Sequence, residues 1–157
     1  NHITSLYDFM ATAGELVGAE EFESDGISIL PTLMGNPKKQ KIHDYLYWEN
    51  GSFGMSEKLY WNSHRQSLRM DDYFIFREHP DSLIEVYDLV KDLQCTNNIA
   101  TESANIVNQA KQYMNEAHTD SEWYVNPGES ETQIHAKREK AEREGTLQES
   151  TWPNEKY

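Results

Sequence analysis

The side chains best suited to chemistry lie near the middle of the chain. In LYWNSHRQ, Trp61, His64 and Arg65 combine an aromatic face with hydrogen-bond donors. Such a set can stack on a sugar ring and pair with an anionic group. The same residues also read as a loop with one packing anchor. Glu49 ends the run HDYLYWE and is placed to reach a cleft. His43 begins that run and reads as a surface or edge histidine. Asp71-Asp72 is an acidic pair where a hairpin turn is expected; acids are common in turns, so no metal role is assigned to it. Cys95 is the one cysteine. It has no disulfide partner within the chain, no zinc-binding spacing surrounds it, and it reads as a buried or idle thiol. No metal site is expected in this chain.

Composition narrows the setting. The chain has 157 residues, enough for a modest core, and 37% of them are hydrophobic, below the usual share for a globular domain. Mean hydropathy is -0.84 and the formal net charge is -13, with a sequence pI near 4.8. A nucleic-acid binder needs a basic face, so neither nucleic acid nor an anionic membrane is an expected partner. No apolar run approaches the roughly 18 residues of a membrane span. The first residue is Asn1, not Met, and no signal peptide is visible, so the sequence is expected to have lost an upstream part.

These residues need a framework. SLYDFMATAGELVG predicts a helix over 5–17 with Leu6, Met10, Ala13 and Val17 on one face. Ser5 and Asp8 have capping-box spacing, and Gly18 suits the stop. AEEFES is an acidic connector. Asp25-Gly26 marks a turn, and Ser28 is placed to cap a short helix in ILPTLMG. NPKKQK reads as a turn and basic linker. The period then changes. HDYLYWE reads as a strand in which Tyr45, Tyr47 and Trp48 pack across the sheet, and KLYW reads as a short strand. QSLRM and YFIFRE form a hairpin around Asp71-Asp72, and IEVYDL follows as a strand. Asn50-Gly51-Ser52 matches a glycosylation sequon and reads as a turn. A long helix is predicted over 101–118, capped by Thr101, with Ile106, Val107, Ala110, Tyr113, Met114 and Ala117 as its apolar stripe and His118 in its last turn. From Glu129 the sequence is charged, helical or flexible, with Trp152 as its one large anchor. The expected fold is α+β: an antiparallel sheet of about four strands with the long helix across one face.

Taken in order, these segments resemble the C-terminal region of formylglycine-dependent sulfatases, the arylsulfatase-like family. SLYDFMATAGELVG is similar to the family's D-x-x-P-T … G helix, with Asp8 and Thr12 in place. DGISILPTLMG resembles D-G-x-S-L-x-P-x-L-x-G. HDYLYWE is similar to the family's aromatic strand, and SLRM to its A-V-R strand through Arg69. EVYDLVKDLQCTNNIA resembles E-L-Y-D-L-x-x-D-P-x-E-x-x-N-L-A, and NEAHTDSEW the segment after the last helix. The resemblance covers roughly residues 3 to 125. Ala11 replaces the usual Pro, Phe74 stands where Lys often follows the hairpin turn, and Leu93 and Cys95 replace Pro and Glu.

The resemblance implies residues 1–36 as the last helix and connector of a catalytic domain, 37–125 as the α+β subdomain, and 126–157 as a charged tail. It implies sulfate-ester hydrolysis by the parent enzyme, on sulfated carbohydrate, in the periplasm or outside the cell. The family's nucleophile motif, C/S-x-P-S-R, does not occur in this sequence; Cys95 is followed by Thr96-Asn97-Asn98. Formylglycine and calcium are therefore expected in the catalytic domain, and this chain alone is expected to be inactive. Its expected partners are that domain, a sulfated small molecule or glycan, and a second copy through the 5–17 helix. Trp61, His64, Arg65 and Glu49 are the candidate substrate contacts, with 50–66 as a loop on the cleft edge. The alternative is a stand-alone carbohydrate-binding or protein-interaction module that reuses the same fold.

Overall fold

The computed structural model describes residues 2–19, 24–51, 64–122, 126 and 128–145. The KLYW segment, Trp61 and Trp152 lie outside the described residues. The chain divides into two compact units, Asn1–Leu46 and Tyr47–Tyr157.

In the first unit, helix α1 (Asp8–Val17) is tied to the following loop through its polar side. Asp8 Oδ2 accepts the Ser5 N–H at 2.8 Å, and Oδ1 accepts the Ile27 N–H at 2.9 Å. His43 Nε2 lies 2.7 Å from the same Oδ1. One turn along, Thr12 Oγ1 donates to the Asp8 carbonyl at 2.7 Å and accepts the Ile29 N–H at 3.0 Å. Asp8 and Thr12 are the buried residues of α1. The apolar face read from the sequence instead stands in solvent, with Leu6 93%, Met10 63% and Val17 77% exposed. His43 departs from its expected place at a surface or edge. Its side chain is largely buried against Asp8, and the Tyr7 ring meets it edge-on. Gly26 lets the loop approach: a Cβ there would sit 2.3 Å from the Tyr7 carbonyl oxygen. Helix α2 (Leu30–Leu33) has Ile29 at its N-cap, one residue later than the Ser28 cap expected from the sequence, and no side-chain cap. Ser28 Oγ instead accepts the Leu30 N–H at 3.2 Å from just outside the helix. Gln40 then clasps this turn, accepting from Thr32 Oγ1 at 2.7 Å and donating to the Ser28 carbonyl at 2.8 Å.

The second unit is built on an antiparallel sheet of four strands in the order β1-β2-β3-β4: β1 Leu46–Gly51, β2 His64–Met70, β3 Tyr73–Arg77 and β4 Glu85–Asp88. Met70 pairs with Tyr73, so Asp71-Asp72 forms the predicted two-residue hairpin turn, with Asp71 at φ 49°. Alternation along β2 buries His64, Gln66, Leu68 and Met70. Leu68 pairs with Ile75 and Ile75 with Val86, which carries a fully buried apolar row across three strands. Helix α3 (Ala104–Ala117) packs against β2, and its stripe turns Ala110 and Met114 fully inward.

Helix α3 starts later than the Thr101 cap expected from the sequence. Ala100–Glu102 is a 3-10 turn and Ser103 stands at the helix cap. The cause is a tie to β4: the Ile99 N–H donates to the Val86 carbonyl at 2.9 Å, and Asn98 Oδ1 accepts from Val86 and Ala100. Acidic side chains organise the connection from β4. Asp88 accepts the Val90 and Lys91 N–H groups, and Asp92 those of Thr96 and Asn97. Helix α4 (Glu131–Glu144) occupies part of the charged C-terminal stretch and opens with a reciprocal Ser130/Gln133 capping box. Its Lys137 binds the Ser121 carbonyl at 2.6 Å and Glu129 at 2.5 Å.

The Asp8 cluster carries a pH signature. Burial works against its ionisation, but hydrogen bonds from Ser5, Ile27 and His43 outweigh that and hold its carboxyl below the ordinary 3.8. A lowered folded pKa gives stability that is complete above the unfolded value and is lost as pH falls through the folded one. Protection of the Ile27 amide from hydrogen exchange, corrected for intrinsic rates, is therefore expected to fall as pH drops below 3.8. Asp8→Ala should abolish that dependence; an unchanged profile in the variant would contradict the assignment.

Candidate functional site

On the buried side of the second unit's sheet, polar side chains form a directional chain. Arg77 on β3 pairs in register with Gln66 on β2. Its Nε donates to Gln66 Oε1 at 2.5 Å, and a terminal guanidinium nitrogen donates to the Pro80 carbonyl at 3.2 Å. A guanidinium only donates, so Gln66 must present its oxygen to Arg77 and its amide nitrogen the other way. That nitrogen donates to the Tyr47 hydroxyl at 2.6 Å. The hydroxyl then sends its own proton on, to Glu49 Oε2 at 2.5 Å. Polarity runs one way across three strands, from Arg77 to Glu49. His64, Gln66 and Arg77 are all buried polar residues.

Two histidines meet the acidic end. His64 Nε2 lies 3.1 Å from Glu49 Oε2. His118, directly after α3, places Nδ1 2.8 Å from the same oxygen, and its Nε2 is 2.8 Å from Asp120 Oδ1. The two imidazoles are edge-to-face, with centroids 5.2 Å apart. The ligand-type atoms of Glu49, His64 and His118 all lie within 4.8 Å of one another. The Glu49 side chain is 25% exposed and that of His118 14%, against 4% for His64, so one side of the cluster is open to water.

Electrostatics follow the same geometry. Burial opposes the Glu49 charge, but hydrogen bonds from Tyr47 and His118 and the nearby histidines outweigh it and hold the carboxyl below its ordinary range. Burial likewise opposes a charge on His118, and Glu49 and Asp120 together more than compensate, raising its pKa. Burial, then the neighbouring Glu49, pushes the Tyr47 hydroxyl far up, so it stays a donor. Such a cluster can hold a proton between carboxylates or bind a cation.

Of the residues singled out from the sequence, Glu49 and His64 come together. Arg65 does not join them. It is the next residue on β2, points to the other face, and pairs with Glu78 at 2.7 Å. The stretch 50–66, read as a loop, is strand at both ends, since β1 runs to Gly51 and β2 starts at His64; 52–63 lie outside the described residues. Trp61 lies outside the described residues. His118 was read only as a helix-end residue. It stands 69 positions from Glu49, and no local pattern connects the two. Gln66 had a signal: it occupies core parity on β2 beside Leu68 and Met70, where a polar residue implies a buried partner.

Removing one member should expose the coupling. Gln66→Leu leaves a buried guanidinium short of an acceptor and is expected to cost about 3 kcal/mol. Arg77→Met should cost a similar amount, and the double variant clearly less than the sum. Urea denaturation of the four proteins measures this; strict additivity would show that the two side chains do not act together.

Comparison with known proteins places this geometry in a wider fold. No protein-family profile and no curated protein matches the chain. Solved structures do. BT1596, a 2-O GAG sulfatase, is 27% identical with a TM-score of 0.59, over 69% of this chain and 23% of its own. A Bacteroides thetaiotaomicron VPI-5482 protein assigned as a sulfatase is 23% identical with a TM-score of 0.59, over 93% of this chain and 27% of its own. BT4656, solved with its substrate D-glucosamine-2-N,6-O-disulfate, is 21% identical with a TM-score of 0.52 and aligns with 69% of this chain and 23% of its own. The chain thus spans about a quarter of the length of these sulfatases. Over most of its length the chain has the fold of part of a sulfatase, consistent with a sulfatase C-terminal region.

Proposed function

We propose that this chain is the C-terminal domain of an enzyme that hydrolyses sulfate esters of carbohydrates, and that it completes the substrate cleft without performing the chemistry. The observation that carries this reading is one of order. The Asp8 helix, the Asp25-Gly26 turn, the aromatic strand and the Tyr87-Asp88 strand follow one another as in the family, on a fold similar to a 2-O GAG sulfatase. The structural roles of these residues support it. Asp8 and Thr12 hold the backbone at Ile27 and Ile29. Asp88, Asp92 and Asn98 hold the turns that follow β4.

The nucleophile and calcium belong, in this reading, to a catalytic domain upstream. The residues here do not supply them: the sequence has no C/S-x-P-S-R, and Asp71-Asp72 is spent on a hairpin turn. The parent enzyme would work in the periplasm or outside the cell. The exposed apolar face of α1, with Met10 and Val17, and Leu6 just before the helix, supports a covered surface in the whole protein. Its own catalytic domain is the proposed cover, and a second copy is the substitute when that domain is missing. A stand-alone binding module would not need such a helix.

Trp61 and Arg65 are proposed to contact the sulfated sugar, through ring stacking and a charge-assisted hydrogen bond. Glu49 and His64 would support that edge of the cleft from the other face of the strand. In the full-length enzyme, Trp61→Ala or Arg65→Ala is expected to raise KM for the natural substrate and to leave kcat for a small aryl sulfate nearly unchanged. Normal kinetics on both substrates would make the segment purely structural.

The chain by itself is expected to turn over neither an aryl sulfate nor sulfated disaccharides. Turnover that persists through repurification and scales with this chain would overturn the division of labour proposed here.

A further inference from the structure

We propose that Glu49, His64 and His118 bind one divalent transition-metal ion of the zinc class, with Asp120 positioning His118 from behind. This site lies wholly within the second unit and does not depend on the sulfatase reading.

Hydrogen-bond inventory leads to it. His118 has an acidic side chain facing each ring nitrogen, Asp120 at Nε2 and Glu49 at Nδ1, both at 2.8 Å. A neutral imidazole has one N–H and one lone pair. With the N–H on Nε2 toward Asp120, the Nδ1 lone pair faces a carboxylate oxygen, which is also a lone-pair donor. Something positive must lie between them: a second proton or a metal ion. Glu49 Oε2 tells the same story. Three polar atoms converge on it, the Tyr47 hydroxyl and one nitrogen from each histidine, at 2.5 to 3.1 Å. A carboxylate oxygen has about two lone-pair sites. A shared cation relieves this crowding by taking one lone pair from each of the three side chains.

The donor set selects the ion. Two imidazoles and one carboxylate suit zinc and its neighbours, whereas calcium and magnesium favour oxygen-only shells. Zinc bonds of about 2.0–2.2 Å place tetrahedral ligand atoms roughly 3.3–3.5 Å apart. The two contacts to Glu49 Oε2, at 2.8 and 3.1 Å, need only a small opening to reach that. The open side of the cluster leaves the fourth position for water.

The outer shell has the form found behind metal-bound histidines: Asp120 accepts from the far nitrogen of His118, and the Tyr47 hydroxyl steadies the carboxylate. Among the described residues these three are the one group of this kind. The His43–Asp8 pair has no third ligand among the described residues, and Asp8 is committed to two backbone N–H groups. A bound ion would join β1, the start of β2 and the end of α3.

The test uses the full chain, stripped with EDTA and titrated with Zn2+ by calorimetry, then loaded with Co2+ for visible absorption. One equivalent of Zn2+ is expected to bind at sub-micromolar Kd, with a four-coordinate Co2+ spectrum and no competition from Mg2+ or Ca2+. Asp120→Asn should weaken binding about 10–100-fold, as loss of an outer-shell partner does. His118→Ala should weaken it further, and His79→Ala not at all. The His118 change follows the end of α3 and should leave the apo fold intact by circular dichroism; the Co2+ spectrum of the unaltered chain needs no variant. Failure to bind one equivalent, a six-coordinate Co2+ spectrum, or affinity untouched by His118→Ala would overturn the proposal and leave the three side chains joined by protons alone.

Discussion

A buried guanidinium that can only donate sets the direction of everything on the inner face of the sheet. Arg77 requires the Gln66 oxygen, Gln66 then turns its nitrogen on Tyr47, and Tyr47 spends its proton on Glu49. Each step follows from the previous one, because reversing any amide or hydroxyl would leave a buried group unpaired. The row lies beside an apolar one, Leu68, Ile75 and Val86, that supplies area without direction. The apolar row holds the sheet and α3 together. The polar row decides where a carboxylate ends up, and α3 brings His118 to the same point.

A second polar device governs the first unit. Asp8 and Thr12, one helical turn apart, bind backbone N–H groups of the loop at Ile27 and Ile29. The apolar side of the same helix is left outside. This inversion, polar face in and apolar face out, leaves a helix that holds a loop on one side and presents apolar side chains on the other. In this unit, backbone-directed hydrogen bonds do work that side-chain burial does elsewhere.

Much of the architecture was legible because it rests on local pattern. The hairpin around Asp71-Asp72 follows from two alternating runs and an acidic turn. The stripe through Ala110 and Met114 follows from helical spacing. Among the residues that act on backbone, Asp8 showed its bond to Ser5 in a capping-box spacing, but its reach to Ile27 is tertiary, and Asp92 and Asn98 were legible only as letters of a resemblance. The start of α3 was misplaced because the Ile99–Val86 tie is tertiary. The cluster was half visible. Glu49 and His64 drew attention by type, but His64 was grouped with its neighbour Arg65, and strand alternation separates those two. His118 could not be joined to them, since it stands 69 positions from Glu49, beyond three further strands and α3.

The most direct test of the account is made on the natural full-length protein that contains this chain. Peptide mass spectrometry, with an aldehyde-reactive label, reads whether a Cys or Ser upstream of Asn1 has been converted to formylglycine. One labelled peptide is expected, in a C/S-x-P-S-R context, in a protein that releases sulfate from a sulfated sugar. A full-length protein with no such motif and no aldehyde would contradict it, and would leave this fold as a binding module.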